Sequence, residues 1–283
     1  AFLHAVWNAM VKNEDNKYVA VTAIVLGHVP VSVLIILLTP IPSVESIPFI
    51  ILSALLHIGY EWYLLSAYRF GDLTKVYPIA RGTAPILITI VSLIFLGVAL
   101  SNFEILGIII ISLGILSLSL QGAKGIKNRS AVIYALVTGF FIMGYSITDG
   151  YGARVSNSFL SYMGWSFILN ATIFPIILKI NNKSEIITKT FKEGKKIFFI
   201  GGTLSYIVYG IVIWGFTQAP IALITALRET SIIFALLIGT FFLKEKFTLL
   251  KVIATFIIFF GVALLKFLKK EKKFFLLEVP SPI

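Results

Sequence analysis

Two arginines stand inside long apolar runs of this chain. Arg81 lies in VYPIARGTAPILITIVSLIFLGVAL and Arg228 in IALITALRETSIIFALLIGTFFL. A guanidinium at membrane depth costs on the order of 3 kcal/mol or more unless it faces protein or a water-filled cavity, so each is a candidate site residue. Tyr77 precedes Arg81 by one helical turn, and His57 and Glu61, four residues apart, share a face of the run before it. The turn between the two runs centres on Gly71 and Asp72. At about 1.5 Å per residue, Glu61 and Arg81 then lie roughly 10–15 Å below the same membrane face. The expectation is that they pair or jointly frame a site, with a carboxylate or phosphate on the arginine and an amine on the glutamate. Arginine suits planar anions because its donors form a rigid fork.

The second run repeats this chemistry. Arg228-Glu229-Thr230 matches Arg81-Gly82-Thr83, Tyr209 takes the place near Glu61, and Asn8 falls opposite Asp149. Adjacent helical residues point about 100° apart, so Glu229 is expected to turn away from the cavity centre toward a neighbouring helix. Asp149, near the end of its run, is expected to cap or gate. The expected binding set is Arg81, Glu61, Tyr77, His57, Arg228, Tyr209, Thr230 and Asn8. The expected proton-coupling or gating set is Glu61, Glu229 and Asp149. The competing role for the two arginines is structural bracing of helix packing.

The elements that must position these residues are helices in a membrane. Of 283 residues, 58% are hydrophobic and only 13% charged. A soluble domain is closer to a quarter charged, so too few polar residues remain to cover a water-exposed surface. Cysteine is absent and the three histidines (His4, His28, His57) form no HExxH pair, which excludes disulfide chemistry and predicts no metal site and no cofactor. The net charge of +11 sits between and after apolar runs, not on one soluble face, so it signals topology and anionic lipid rather than nucleic acid.

Ten runs reach membrane-helix character: Ala1–Val11, Tyr18–Leu38, Ile47–Tyr68, Thr74–Leu100, Phe103–Leu120, Ala131–Tyr151, Phe159–Leu178, Ile197–Phe216, Pro220–Leu243 and Phe247–Leu268. The first reads as clipped. Connections are short and rich in turn residues, except the basic stretch Lys179–Lys196. Sixteen of the 24 basic residues fall in loops after odd-numbered runs and six in the other loops and the tail, leaving Arg81 and Arg228. The positive-inside rule then puts the odd-numbered loops in the cytoplasm of a multi-pass inner (plasma) membrane protein and both termini outside.

Runs one to five and six to ten resemble each other, and the matches keep one spacing. Gly114 in LGILSL and Gly261 in FGVALL join those above. Five runs per copy is odd, so the second copy must cross upside down, as an inverted repeat. The predicted architecture is all-α, with a first repeat at 1–122, a second at 130–268 and a basic tail at 269–283.

Several stretches carry a family resemblance: HIGYEWYLLSAYRFGDLTKVYPIARGTAPILITIVS, APIALITALRETSIIFALLIGTFFLKE, LHAVWNAMVK and ITDGYGAR. Together they resemble the drug/metabolite transporter superfamily in its EamA-type ten-helix branch. The resemblance implies two inverted five-helix bundles. Helices one, three, four, six, eight and nine would line a central cavity, with the fifth and tenth outside. It also implies export or exchange of small polar metabolites, often amino-acid-like. Two departures stand out. The fourth run ends in FLGVAL, where the second copy keeps Glu245 in FLKEK, and superfamily members are described with cytoplasmic termini, against the lysine distribution here.

The functional expectation is a secondary transporter, a monomer working by alternating access on a small-molecule substrate. No Walker A sequence is present to engage ATP. The alternative is a membrane-embedded lipid-modifying enzyme using His57 and Glu61 as acid and base.

Overall fold

The structure, a computed structural model, describes residues 1–71, 73–120, 128–241 and 248–275. Asp72, Glu245, most of the GAKGIKNR connection and the final residues 276–283 of the expected tail lie outside the described residues. Among the described residues the chain is helical, without strands. The order is α1 (Phe2–Asn13), α2 (Lys17–Gly27), α3 (Val29–Leu38), α4 (Ile47–Phe70), α5 (Leu73–Ile94), α6 (Asn102–Ser117), α7 (Arg129–Val155), α8 (Phe159–Ile180), α9 (Ser184–Glu193), α10 (Gly202–Gln218), α11 (Ile221–Arg228), α12 (Ser231–Phe241) and α13 (Leu249–Phe275). Eight stretches among the described residues are long and apolar enough to cross a membrane, and a shorter apolar helix, Leu249–Leu265, follows.

Local chemistry sets the helix starts. Asn16 accepts hydrogen bonds from the backbone N–H groups of Tyr18 and Val19, and Asn128 from that of Ser130. Ser101 and Glu104 form a reciprocal capping box at the start of α6. These caps satisfy N–H donors that a helix end would otherwise leave without partners. At the far end of α10, Arg154 caps from outside: its Nε and Nη2 donate to the carbonyl of Phe216 at 2.9 and 2.7 Å, and Nη2 to that of Ala219 at 3.0 Å.

Two runs that read as continuous are broken. The stretch Lys17–Leu38 divides at His28, two residues before Pro30, which lacks the donor for a helical bond. The stretch from Ile221 divides at Glu229 and Thr230. There the backbone bonds become three-residue closures, with Glu229 N–H donating to Ala226 C=O and Thr230 N–H to Leu227 C=O, both at 3.1 Å. No glycine or proline stands at this second break. The stretch Lys179–Lys196, expected to be a polar loop, contains α9, whose Ile186 and Thr190 are buried while its lysines stay exposed.

Packing is tight where glycines allow it. A Cβ on Gly27 would lie 2.1 Å from the Phe198 carbonyl oxygen, so α2 meets the π-helical turn Ile197–Gly201, just before α10, backbone against backbone. Likewise a Cβ on Gly261 would lie 2.9 Å from the carbonyl oxygen of Gly107, which joins α6 to α13. These two helices pack along each other and turn apolar side chains such as Leu106, Leu113, Phe256 and Phe259 outward. Exposed rings and aliphatics of this extent suit a lipid surface, not water.

Candidate functional site

α1, α2, α4 and α5 from the first half and α7, α8, α10 and α11 from the second converge on a partly open cavity. Its wall includes helices equivalent to the second and seventh runs, which the resemblance did not imply. α2 contributes Val21, Ile24 and Val25, the break after it His28, and α8 contributes Phe167 and Asn170. The reason is burial: nearly every residue of α2 from Val19 to Gly27 is buried, so this helix is not peripheral.

The arginines form the charged end. Arg81 Nε donates to Glu229 Oε2 at 2.9 Å, and Arg228 Nε stands 3.5 Å from Glu229 Oε1. All three side chains are buried, Glu229 completely. One carboxylate thus serves two guanidinium groups, and it does so across the two halves of the chain. Arg81 Nη2, Arg228 Nε and Arg228 Nη2 have no hydrogen-bond partner among the described residues. Arg81 also lies over the Tyr77 ring, 5.6 Å from its centroid. Tyr77 hydroxyl donates to Asn8 Oδ1 at 3.0 Å, and Asn8 Nδ2 donates to the His4 carbonyl at 2.7 Å.

The expected Glu61–Arg81 pair does not form. Glu61 accepts from Asn170 Nδ2 at 3.4 and 3.5 Å, while Arg81 takes Glu229. The depth argument fixed their level in the membrane but not their azimuth. Twenty residues round two helices leave the Arg81 side chain pointing to α11 and the Glu61 side chain to α8. Glu229 reaches the neighbouring helix as expected, and it also touches Arg228. The helix ends between these two residues, so the 100° rule for continuous helix no longer separates them.

His57 lines the cavity with its Nδ1 3.0 Å from the Ser53 carbonyl and its Nε2 3.9 Å from Asp149 Oδ2. Its ring stacks on Tyr145 at 4.1 Å. Asp149 neither caps a helix nor lines the cavity. It is buried beneath the wall, where the Tyr162 hydroxyl donates to Oδ1 at 3.0 Å and the Tyr209 hydroxyl to Oδ2. Tyr209 does line the cavity. Thr230 does not: it is half-buried, and its hydroxyl donates to the Leu227 carbonyl at 2.8 Å, closing the helix break.

Several wall residues went unread in the sequence. Asn170 is an amide inside the apolar run WSFILNATIF, a signal as strong as that of Glu61. His28 stacks on Phe167 at 4.5 Å, and Phe167 stacks on Tyr209 at 5.7 Å. Aromatic residues in apolar runs give no sequence signal that separates wall from core.

The fold and its polar cavity define a multi-pass helical membrane protein with charge held inside it. The comparisons carry this further. The EamA-like transporter family model matches residues 129–267, just under half of the chain, and this match supports membership of the drug/metabolite transporter superfamily. One solved crystal structure of a protein has the same fold, with a TM-score of 0.72 at 15% identity, covering 95% of this chain and 94% of that one. No curated protein matches the sequence.

Proposed function

We propose that the chain is a secondary transporter of small polar metabolites, working by alternating access around the cavity. The observation that carries the reading is the Arg81–Glu229–Arg228 cluster, a buried charge network that joins the two halves at the wall of one cavity. Charge buried at this depth is costly to retain for packing alone. In this reading α1, α2–α3, α4, α5 and α6 cross the membrane as the first unit (1–122), and α7, α8, α10, α11–α12 and α13 as the second (130–268). The packing supports an inverted relation between them. α1 meets α12 as α7 meets α5, and α4 meets α7 as α10 meets α1. α2 meets α10 as α8 meets α4, while α6 and α13 meet each other. A two-fold relation accounts for all of these pairs, and with five crossings per unit it is read as an inverted repeat, an arrangement in which one unit can rock against the other.

Glu61 is the group assigned to proton coupling, since it lines the cavity with Asn170 as its partner. Asp149 and Glu229 hold the wall together. Odd-numbered loops face the cytoplasm, and a single chain closes the cavity by itself. The lipid-modifying reading gains no support, because His57 and Glu61 engage different partners and do not form an acid–base pair.

The test is uptake and efflux of labelled amino acids, organic anions and nucleosides in proteoliposomes, wild type beside Arg81→Ala and Glu61→Gln. The expected result is transport of one class, lost in Arg81→Ala, with pH dependence lost in Glu61→Gln. Transport at the wild-type rate in Arg81→Ala would make that arginine a brace and refute the site.

A further inference from the structure

Resting on the transporter reading, we propose that the cavity takes a small carboxylate carrying a planar ring and a single negative charge, and that Glu229 sets this charge limit. Two features of the wall lead there. The first is the donor count. Two buried guanidinium groups share one carboxylate; Arg81 Nη2 and Arg228 Nη2 have no hydrogen-bond partner among the described residues, and Arg228 Nε has only its 3.5 Å ion contact with Glu229 Oε1. Buried charged donors without acceptors are costly, so a ligand that supplies a carboxylate is favoured at this end. Asp149 does not fill the role, since its two oxygens accept from Tyr162 and Tyr209. One monoanion brings the arginine–glutamate cluster to charge balance. A second negative charge would overshoot it in a low-dielectric wall.

The second feature is the ring content. Of the 21 residues lining the cavity, ten carry aromatic or imidazole rings. They are organised, not scattered: His28, Phe167 and Tyr209 form a continuous stack, and His57 and Tyr145 a second. Such surfaces favour offset or edge contacts with another planar ring over an aliphatic one of similar size. A cationic drug-like ligand would also welcome rings, but it would meet the arginine pair as a like charge.

The probes are benzoate, cyclohexanecarboxylate, terephthalate and benzylammonium, measured by calorimetry on the purified full chain in nanodiscs. Wild type should bind benzoate tightest, cyclohexanecarboxylate and terephthalate each roughly tenfold weaker, and benzylammonium not at all; tenfold is the size of one well-placed interaction. Glu229→Gln removes the internal anion, so terephthalate should overtake benzoate. Should that variant not fold, the wild-type series decides alone, and Tyr145→Leu should shrink the gap between benzoate and cyclohexanecarboxylate. Binding of benzylammonium in preference to benzoate, equal binding of the mono- and dianion, or binding of neither acid would each overturn the proposal. Counterflow in proteoliposomes separates it from the transporter reading. Transport of a cation or an aliphatic solute without benzoate binding sinks the ligand class and leaves the transporter. Benzoate binding with transport of nothing in the panel does the reverse.

Discussion

Removing Glu229 should destabilise the protein more than removing Arg81, although the two are partners. Arg81→Gln leaves Glu229 facing Arg228 at 3.5 Å, a one-to-one pair that makes the cluster neutral. Glu229→Gln leaves two buried guanidinium groups around a neutral amide. Breaking a buried pair costs about 3–5 kcal/mol when the surviving charge is uncompensated. That range applies to Glu229→Gln, and about half of it to Arg81→Gln, where Arg228 still compensates the carboxylate. The double variant retains one cation and no anion, so it should fall near Glu229→Gln or slightly above it in stability. The sum of the single effects should exceed the double effect by about 1–3 kcal/mol, the coupling expected of residues in one network. The assay is reversible unfolding in mixed micelles by titration with a denaturing detergent, followed by circular dichroism and tryptophan fluorescence. Arg81→Gln proving worse than Glu229→Gln would refute the shared-carboxylate argument. A coupling below about 0.5 kcal/mol, the usual scatter for independent sites, would do the same.

Two further outcomes follow from the packing. Gly27→Ala places a methyl 2.1 Å from the Phe198 carbonyl, which only a backbone shift can relieve, so a loss of about 1–3 kcal/mol is expected in the same unfolding assay; wild-type stability would show that α2 and the turn before α10 do not meet as described. Tyr209→Phe removes the hydroxyl that donates to Asp149 Oδ2 and leaves a buried carboxylate oxygen short of a donor, for about 1–3 kcal/mol. The same substitution at Tyr151, which does not touch Asp149, should leave stability within about 0.5 kcal/mol and serves as the control.

Much of the helical layout was legible because the bilayer imposes it. Apolar runs of about 20 residues mark crossing helices whatever their neighbours do. Gly107, Gly114 and Gly261 stand where α6 and α13 approach closely, the use that a missing side chain on an apolar helix most often has. Arg81 and Arg228 were legible as wall residues for a related reason: charge in an apolar run must be held by protein or water, and both line the cavity. Thr230 was placed there only by analogy with its repeat partner. The break before it turned its hydroxyl to the Leu227 carbonyl instead.

The sequence by itself determined that this is a helical membrane protein, which residues lie at depth, and which few of them carry charge. Those properties follow from composition and from rise per residue, and neither needs a partner to be known. Only the tertiary structure decided who pairs with whom. Whether Arg81 meets Glu61 on the adjacent helix or Glu229 in the other half of the chain depends on the rotation of each helix about its axis. The break at Glu229 and Thr230 adds to this, in a stretch with no glycine or proline to announce it. Rotation is set by the packing of whole helix faces, such as α5 against α7 and α11, and that information is spread over dozens of apolar residues rather than written in any motif.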